Sequence, residues 1–179
     1  MDDFSGVLDG ARRGDDAAWD ALYTEFHPRV FRYLVARSGD PDVAAELSQD
    51  VFVAAVSAIR RLRENSRPGF EGWIIRIAAN RHVDWVRRQH RVLVPDPEPA
   101  PDPAVLAVDR VVSAELMAAV ARLTADQQDV IVQRFVMDRS LEDVARSTRR
   151  SVTAVKALQH RGLAALDRLL VEVGYDRSA

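Results

Sequence analysis

The chain has 179 residues, 47% of them hydrophobic, with a formal net charge of −2 and no cysteine. That length and apolar content allow one medium domain or two small ones with packed cores, and the lack of thiols excludes disulfides and thiolate metal sites, as suits a reducing cytosol. No apolar run approaches the roughly 20 residues that span a bilayer, and the start Met1-Asp2-Asp3-Phe4 is acidic where a secretory signal is basic, so the expectation is a soluble, cytoplasmic protein without membrane insertion. His27, His82, His90 and His160 form no His-x-x-x-His pair. With no Gly-rich phosphate loop, metal cluster or nucleophile constellation, no catalytic residue, metal, cofactor, small-molecule substrate or enzymatic activity is expected.

Charge is distributed in blocks. Residues 1–59 hold five basic and eleven acidic residues (−6), 60–91 nine and three (+6), 92–138 three and eight (−5), and 139–179 eight and five (+3). The basic blocks suit phosphate, while the acidic blocks repel nucleic acid and suit a basic protein surface. Strand-like alternation never persists and helix formers dominate, so the fold is expected to be all-α.

Within residues 5–37, Trp19, Leu22, Tyr23, Phe26, Val30, Tyr33 and Leu34 form an i, i+3, i+4, i+7 ladder. Pro28 interrupts it, so either the helix kinks there or a new one begins. Gly39, Asp40 and Pro41 end one helix and start the next. In that helix Val43, Leu47, Val51, Ala54, Ala58 and Leu62 line one side and Glu46, Gln49, Asp50, Val53 and Ser57 another. This second face is either solvated or a protein contact, with an uncovered valine at its centre. Arg60, Arg61, Leu62, Arg63 and the residues up to Gly69 read as a mobile basic loop.

The run from Phe70 to Arg91 follows. At 3.6 residues per turn Ile74, Ile75, Ala78, Trp85 and Val86 form a core face, while Trp73, Arg76, Asn80, Asp84, Arg87 and Arg91 form an outward stripe. The stripe fits either a solvated arginine-rich face with Trp73 partly buried at its edge or a nucleic-acid surface, because guanidinium groups bind phosphate and aromatic rings accept unpaired bases. Five prolines between Pro95 and Pro103 then alternate with Asp96, Glu98, Ala100 and Asp102. Such a composition cannot pack a core and marks a boundary. The expected organisation is two small helical domains, 1–91 and 108–179, joined by an acidic Pro-rich linker, 92–107.

In the second domain Val108, Val112, Leu116, Val120 and Leu123 give one helix, and Thr124 to Gln127 is a capping box that starts another. Ser140 caps a short helix, Arg146 to Arg150 turn the chain, and Ser151 caps a last helix, which together read as helix-turn-helix. Val155, Leu158, Gly162, Ala165 and Leu169 should face the core. Thr153, Lys156, Ala157 and His160 lie on another early side, where such a helix reads base edges, with Arg150 and Arg161 placed to hold phosphates. Solvated charges on a packed helix explain the same stretch.

The Trp73 run resembles the minus-ten-reading helix of extracytoplasmic-function (ECF) sigma factors of bacterial RNA polymerase. Their pattern Trp-Ile-x-Arg-Ile-Ala-x-Asn-x-x-x-Asp-x-x-Arg stands at Trp73, Ile74, Arg76, Ile77, Ala78, Asn80, Asp84 and Arg87. Ala44 to Phe52 is similar to the family's polymerase-clamp segment, with Ala45 in place of the usual Glu. Ser151, Val155, Lys156 and Arg161 match its minus-thirty-five reader, with Ala154 at a Thr position.

The resemblance implies a sigma factor that binds core RNA polymerase and promoter DNA, initiates transcription, and has an anti-sigma factor as partner. It implies polymerase contacts at Glu46, Gln49, Asp50 and Val53. It assigns minus-ten DNA to Arg60, Arg61, Leu62, Arg63, Trp73, Arg76, Asn80, Asp84, Arg87 and Arg88, with Asn80 lining a flipped-base pocket walled by Leu62 or Phe70. Minus-thirty-five DNA falls to Arg150, Ser151, Thr153, Lys156, Ala157, His160 and Arg161, and the linker would thread the polymerase's nucleic-acid channels, its acids imitating phosphates. The competing expectation is a stand-alone helix-turn-helix regulator that binds duplex DNA alone.

Overall fold

A computed structural model describes residues 3–91 and 114–172, and every element among them is helical. The first half holds α1 (Phe4–Arg13), α2 (Asp16–Ser38), α3 (Pro41–Ala58), a 3-10 turn (Ile59–Arg61) and α4 (Arg67–Arg91). The second holds α5 (Ala114–Ala121), α6 (Ala125–Ile131), a π-helical turn (Val132–Val136), α7 (Leu141–Thr148) and α8 (Val152–Glu172). The Pro-rich segment 92–107, expected to be a linker, lies outside the described residues, as do Val108 and Val112 of the helix expected after it. None of the described helices is long and apolar enough to cross a membrane.

Local chemistry sets most boundaries. Asp40 Oδ1 accepts from the amides of Asp42 and Val43, Pro41 fills the first turn of α3, and Gly39 ends α2 at φ 71°. Thr124 and Gln127 form the reciprocal capping box of α6, and the Ser140 and Ser151 hydroxyls accept amide protons at the starts of α7 and α8. Pro28 does not end α2, which runs through it. Thr24 and Pro28 are both exposed, so water can satisfy the carbonyl that the proline leaves without a helical donor.

Phe26 and Phe70 meet edge to face at 4.8 Å, with Phe4 6.0 Å from each, at the centre of a core that includes Leu22, Val30, Leu47, Val51 and Ile74. A smaller core holds Val130, Val144, Val155 and Leu158. Ala165 and Leu169, expected inside, are only half-buried, because α8 extends past the body of its own small core.

The two halves pack against each other. α5 and the π-helical turn lie on α2, α7 lies on α4, and Val120 and Val132 join the core of the first half. A buried polar junction crosses the seam. Arg37, 3% exposed, donates to Tyr33 Oη at 2.8 Å and pairs with Asp129 at 3.2 Å. Tyr33 donates to the same Asp129 oxygen at 2.5 Å, and Gln133 donates to it at 3.0 Å. The Arg37 carbonyl accepts from Gln128 at 3.0 Å and faces His82 Nε2 at 3.1 Å. Burial works against the Arg37 charge, but Tyr33 and Asp129 outweigh it and raise its pKa.

Burial, followed by the nearby Arg37 cation, lowers the His82 pKa to about 4. The unfolded chain therefore takes up that proton first. Stability should be complete above about pH 6.5, the ordinary histidine value, and fall as pH drops from there toward 4. Thermal melts across this range should show the loss, and His82→Gln, which keeps a donor for the Arg37 carbonyl, should remove the histidine-linked part. Arg149 ends α7 in the left-handed conformation at φ 56°. Replacing it with glycine should stabilise the chain by about 1 kcal/mol in urea denaturation.

Candidate nucleic-acid interface

Four surfaces carry the residues singled out by sequence. On α3, burying Ala44, Leu47, Ser48, Val51 and Phe52 turns Glu46, Gln49, Asp50 and Val53 outward, all exposed. Val53 is 68% exposed, and Val56 one turn on is 54% exposed. Sequence reading passed over Val56, although its i, i+3 spacing from Val53 was the available signal. Tyr23 stands beside this helix, stacked on His27 and tilted against Phe52 at 4.8 Å. The face offers two carboxylates, an amide and an apolar strip, a mixture suited to another protein.

The segment after α3 is held rather than loose. The Arg12 guanidinium of α1 donates to the carbonyls of Leu62 and Glu64 and to Asn65 Oδ1, at 2.9, 3.0 and 2.8 Å. Arg60, Arg61 and Arg63 remain exposed, while Leu62 turns inward and is buried. α4 starts at Arg67, three residues before Phe70, because Ser66 accepts from the Gly69 amide and organises the first turn.

The expected outward stripe of α4 is divided. Asn80, Asp84, Arg87 and Arg88 are exposed, with Asp84 and Arg87 a loose pair at 3.9 Å. Arg91 belongs to the same helix. Trp73 and Arg76 are only half-exposed, because α7 lies over this end of the helix. The two helices leave a cleft of about 120 Å³ bounded by Leu62, Trp73 and Arg76 on one side and Arg139, Asp143 and Ser147 on the other. The helices come close at Gly72, where an added Cβ would sit 3.2 Å from Arg139 Nη2. Burial, then the opposing Arg149 guanidinium, lowers the Arg76 pKa.

Arg139 is itself buried. It donates to Gln133 Oε1 at 2.5 Å, where the Ser147 hydroxyl also donates at 2.8 Å, while Arg134 donates to the Arg139 carbonyl. Gln133, Arg139 and Ser147 escaped sequence reading because a polar residue that ends up buried looks, in a list of letters, like one at the surface.

The fourth surface is the early part of α8. Thr153, Lys156, Ala157, His160 and Arg161 are all exposed, on the side opposite Val155 and Leu158. Ser151 spends its oxygen on the helix cap, accepting from the Ala154 amide at 3.1 Å. Arg150 pairs with Asp126 at 2.7 Å, an exposed contact that a phosphate can replace at little cost. Cations, hydroxyls and a small Ala157 on one helical side suit the edge of a DNA groove.

Residues 22–92 match the family Sigma-70 region 2, and residues 119–168 match Sigma-70, region 4. The chain is 29% identical over 164 residues to the ECF RNA polymerase sigma factor SigX of Bacillus subtilis, covering 84% of this chain and 82% of that one. It is 31% identical over 159 residues to the ECF RNA polymerase sigma factor RpoE of Cereibacter sphaeroides, covering 87% and 86%. Its fold is similar to that of the sigma factor RpoE from Bartonella quintana, solved in complex with the anti-sigma factor NepR, with a TM-score of 0.67, 21% identity, and coverage of 88% of this chain and 98% of that one. Both sigma regions are matched in order and the relatives align over most of their length, so the chain belongs to the ECF sigma factors of RNA polymerase.

Proposed function

We propose that this chain carries core RNA polymerase to its promoters from the cytoplasm, with its α3, α4 and α8 faces dividing the work. The observation that supports this division most is the exposure of Glu46, Gln49, Asp50 and Val53 on α3 and of Thr153, Lys156, Ala157, His160 and Arg161 on α8. These faces belong to separate matched regions, 22–92 and 119–168. A stand-alone regulator needs only the second. In the division proposed, residues 1–91 form one functional unit, 108–179 the other, and 92–107 the tether.

The α3 face docks on the polymerase, its acids meeting a basic surface. Lys156 and His160 reach base edges of the minus-thirty-five duplex, Arg161 and Arg150 hold its backbone, and Thr153 and Ala157 fit against the groove. On α4, Asn80 reads the edge of an unpaired minus-ten base and Trp73 offers it a ring, while Arg61, Arg63, Arg87 and Arg88 neutralise the strand. An anti-sigma protein would hold the chain away from the polymerase, as NepR accompanies the Bartonella relative.

Trp73 and Arg76 cannot serve DNA fully while α7 covers them, so α7 must leave α4 before the minus-ten strand is engaged. Asp129 is the counter-charge that holds the closed arrangement together. Removing it leaves a buried Arg37 cation unpaired. Asp129→Ala should therefore raise the affinity of the free chain for a single-stranded minus-ten oligonucleotide severalfold, as measured by fluorescence anisotropy at low salt. On the polymerase side, Asp50→Arg should weaken binding to purified core enzyme about tenfold, since a like charge opposes the basic surface. Unchanged core affinity in a pull-down titration would remove α3 from the interface.

A further inference from the structure

We infer that Arg12 is a positioning residue for the promoter strand, acting through the 62–65 segment; this inference rests on the minus-ten reading above. Arg12 lies in α1, before the segment matched as sigma region 2, and no promoter-reading motif of the sequence includes it. Its guanidinium nevertheless spans some fifty positions of sequence to bind three acceptors of one short coil, the Leu62 and Glu64 carbonyls and Asn65 Oδ1. Asp9 holds the other nitrogen, Nη1, at 2.7 Å, and Arg60 Nε donates back to the Arg12 carbonyl at 3.4 Å.

The base of this clamp is fixed. Gly14 closes α1 in the left-handed conformation and returns its amide to the carbonyls of Ala11 and Gly10. Trp19 Nε1 donates to the Ala11 carbonyl at 3.1 Å, tying the end of α1 to α2. The planar fork sends Nη1 to Asp9 and Nη2 to the coil, where the two Nη2 hydrogens are shared among the three acceptors; a lysine ammonium, a single point of charge, cannot serve both directions at once.

Two consequences follow for the coil. Leu62 and Glu64 form part of the cleft that contains Trp73 and Arg76, so the clamp sets how far this wall stands from the aromatic ring. Trans peptide units carry their C=O and N–H on opposite sides. Turning the carbonyls of Leu62 and Glu64 toward Arg12 therefore turns the amides of Arg63 and Asn65 away from α1. Those donors, beside the exposed Arg61 and Arg63 side chains, fit the acceptors of a phosphate or a base edge. Arg12 touches none of the DNA itself.

The test uses the full chain bound to purified core polymerase. Opening of a promoter set carrying each base at the flipped minus-ten position is followed by 2-aminopurine fluorescence, alongside core affinity and thermal melting. Arg12→Ala should reduce the ratio between best and worst base about tenfold, with core affinity within twofold of the parent chain, and Arg12→Lys should restore only part of the ratio. Amide exchange of the free chain should quicken in Arg12→Ala at Leu62, whose amide donates to the Ile59 carbonyl at 2.9 Å. Should that variant fail to fold, Arg12→Lys and Asn65→Ala carry the test, each expected to lower the ratio severalfold. Parental base discrimination in folded variants overturns the role of Arg12. Absence of base discrimination by the parent holoenzyme instead overturns the minus-ten reading, with the exchange data still deciding whether the clamp orders the coil.

Discussion

A cation buried at the seam between two helical units dictates how this protein rests. Arg37 lies at the end of α2, out of reach of water, where an unpaired charge would cost several kcal/mol. The carboxylate that meets it, Asp129, belongs to α6 on the other side of the sequence, as does Gln128, and Gln133 of the π-helical turn that follows completes the network. Neither unit can satisfy these groups alone without bringing in solvent. Tyr33 joins them as a neutral donor, since burial and then Asp129 keep its phenol protonated far above its ordinary range.

That junction divides the functional surfaces into two kinds. The α3 face and the early side of α8 stay open whether or not the units are joined, because each is turned away from its own core. The first turns of α4 are different: α7 lies over Trp73, Arg76 and Gly72, and Arg139 fills the closest approach. Arg76 and Arg149 are held near each other there, a repulsion that opening relieves. Polymerase docking through α3 and engagement of the minus-ten strand through α4 are thus separable events in the proposed mechanism, the second requiring a change that the first does not.

Much of the architecture was legible because it depends on neighbours in sequence. Asp40 with Pro41, Thr124 with Gln127, and Ser140 and Ser151 all cap helices through contacts two or three residues away, and Leu22, Phe26, Val30, Tyr33 and Leu34 of the ladder announce its buried side, although Tyr23, expected with them, is exposed. Pro28 was ambiguous in the sequence because the outcome turns on exposure, and its solvent side lets α2 continue. The Arg12 clamp, the Arg37 junction and the burial of Gln133, Arg139 and Ser147 could not be read that way. Their partners lie far along the chain or on a different helix, and a guanidinium that will be enclosed is written with the same letter as one in water. The outward stripe of α4 was legible as a pattern, yet its cover of α7 residues was not, since docking of the units follows from no local rule.

The most direct measurement is initiation itself. Purified core polymerase, supplied with this chain and a library of promoter templates, should make run-off transcripts from a defined subset whose minus-ten and minus-thirty-five sequences recur, with unpaired bases detectable in the minus-ten segment. Transcript yields indistinguishable with and without the chain on every template would contradict the account.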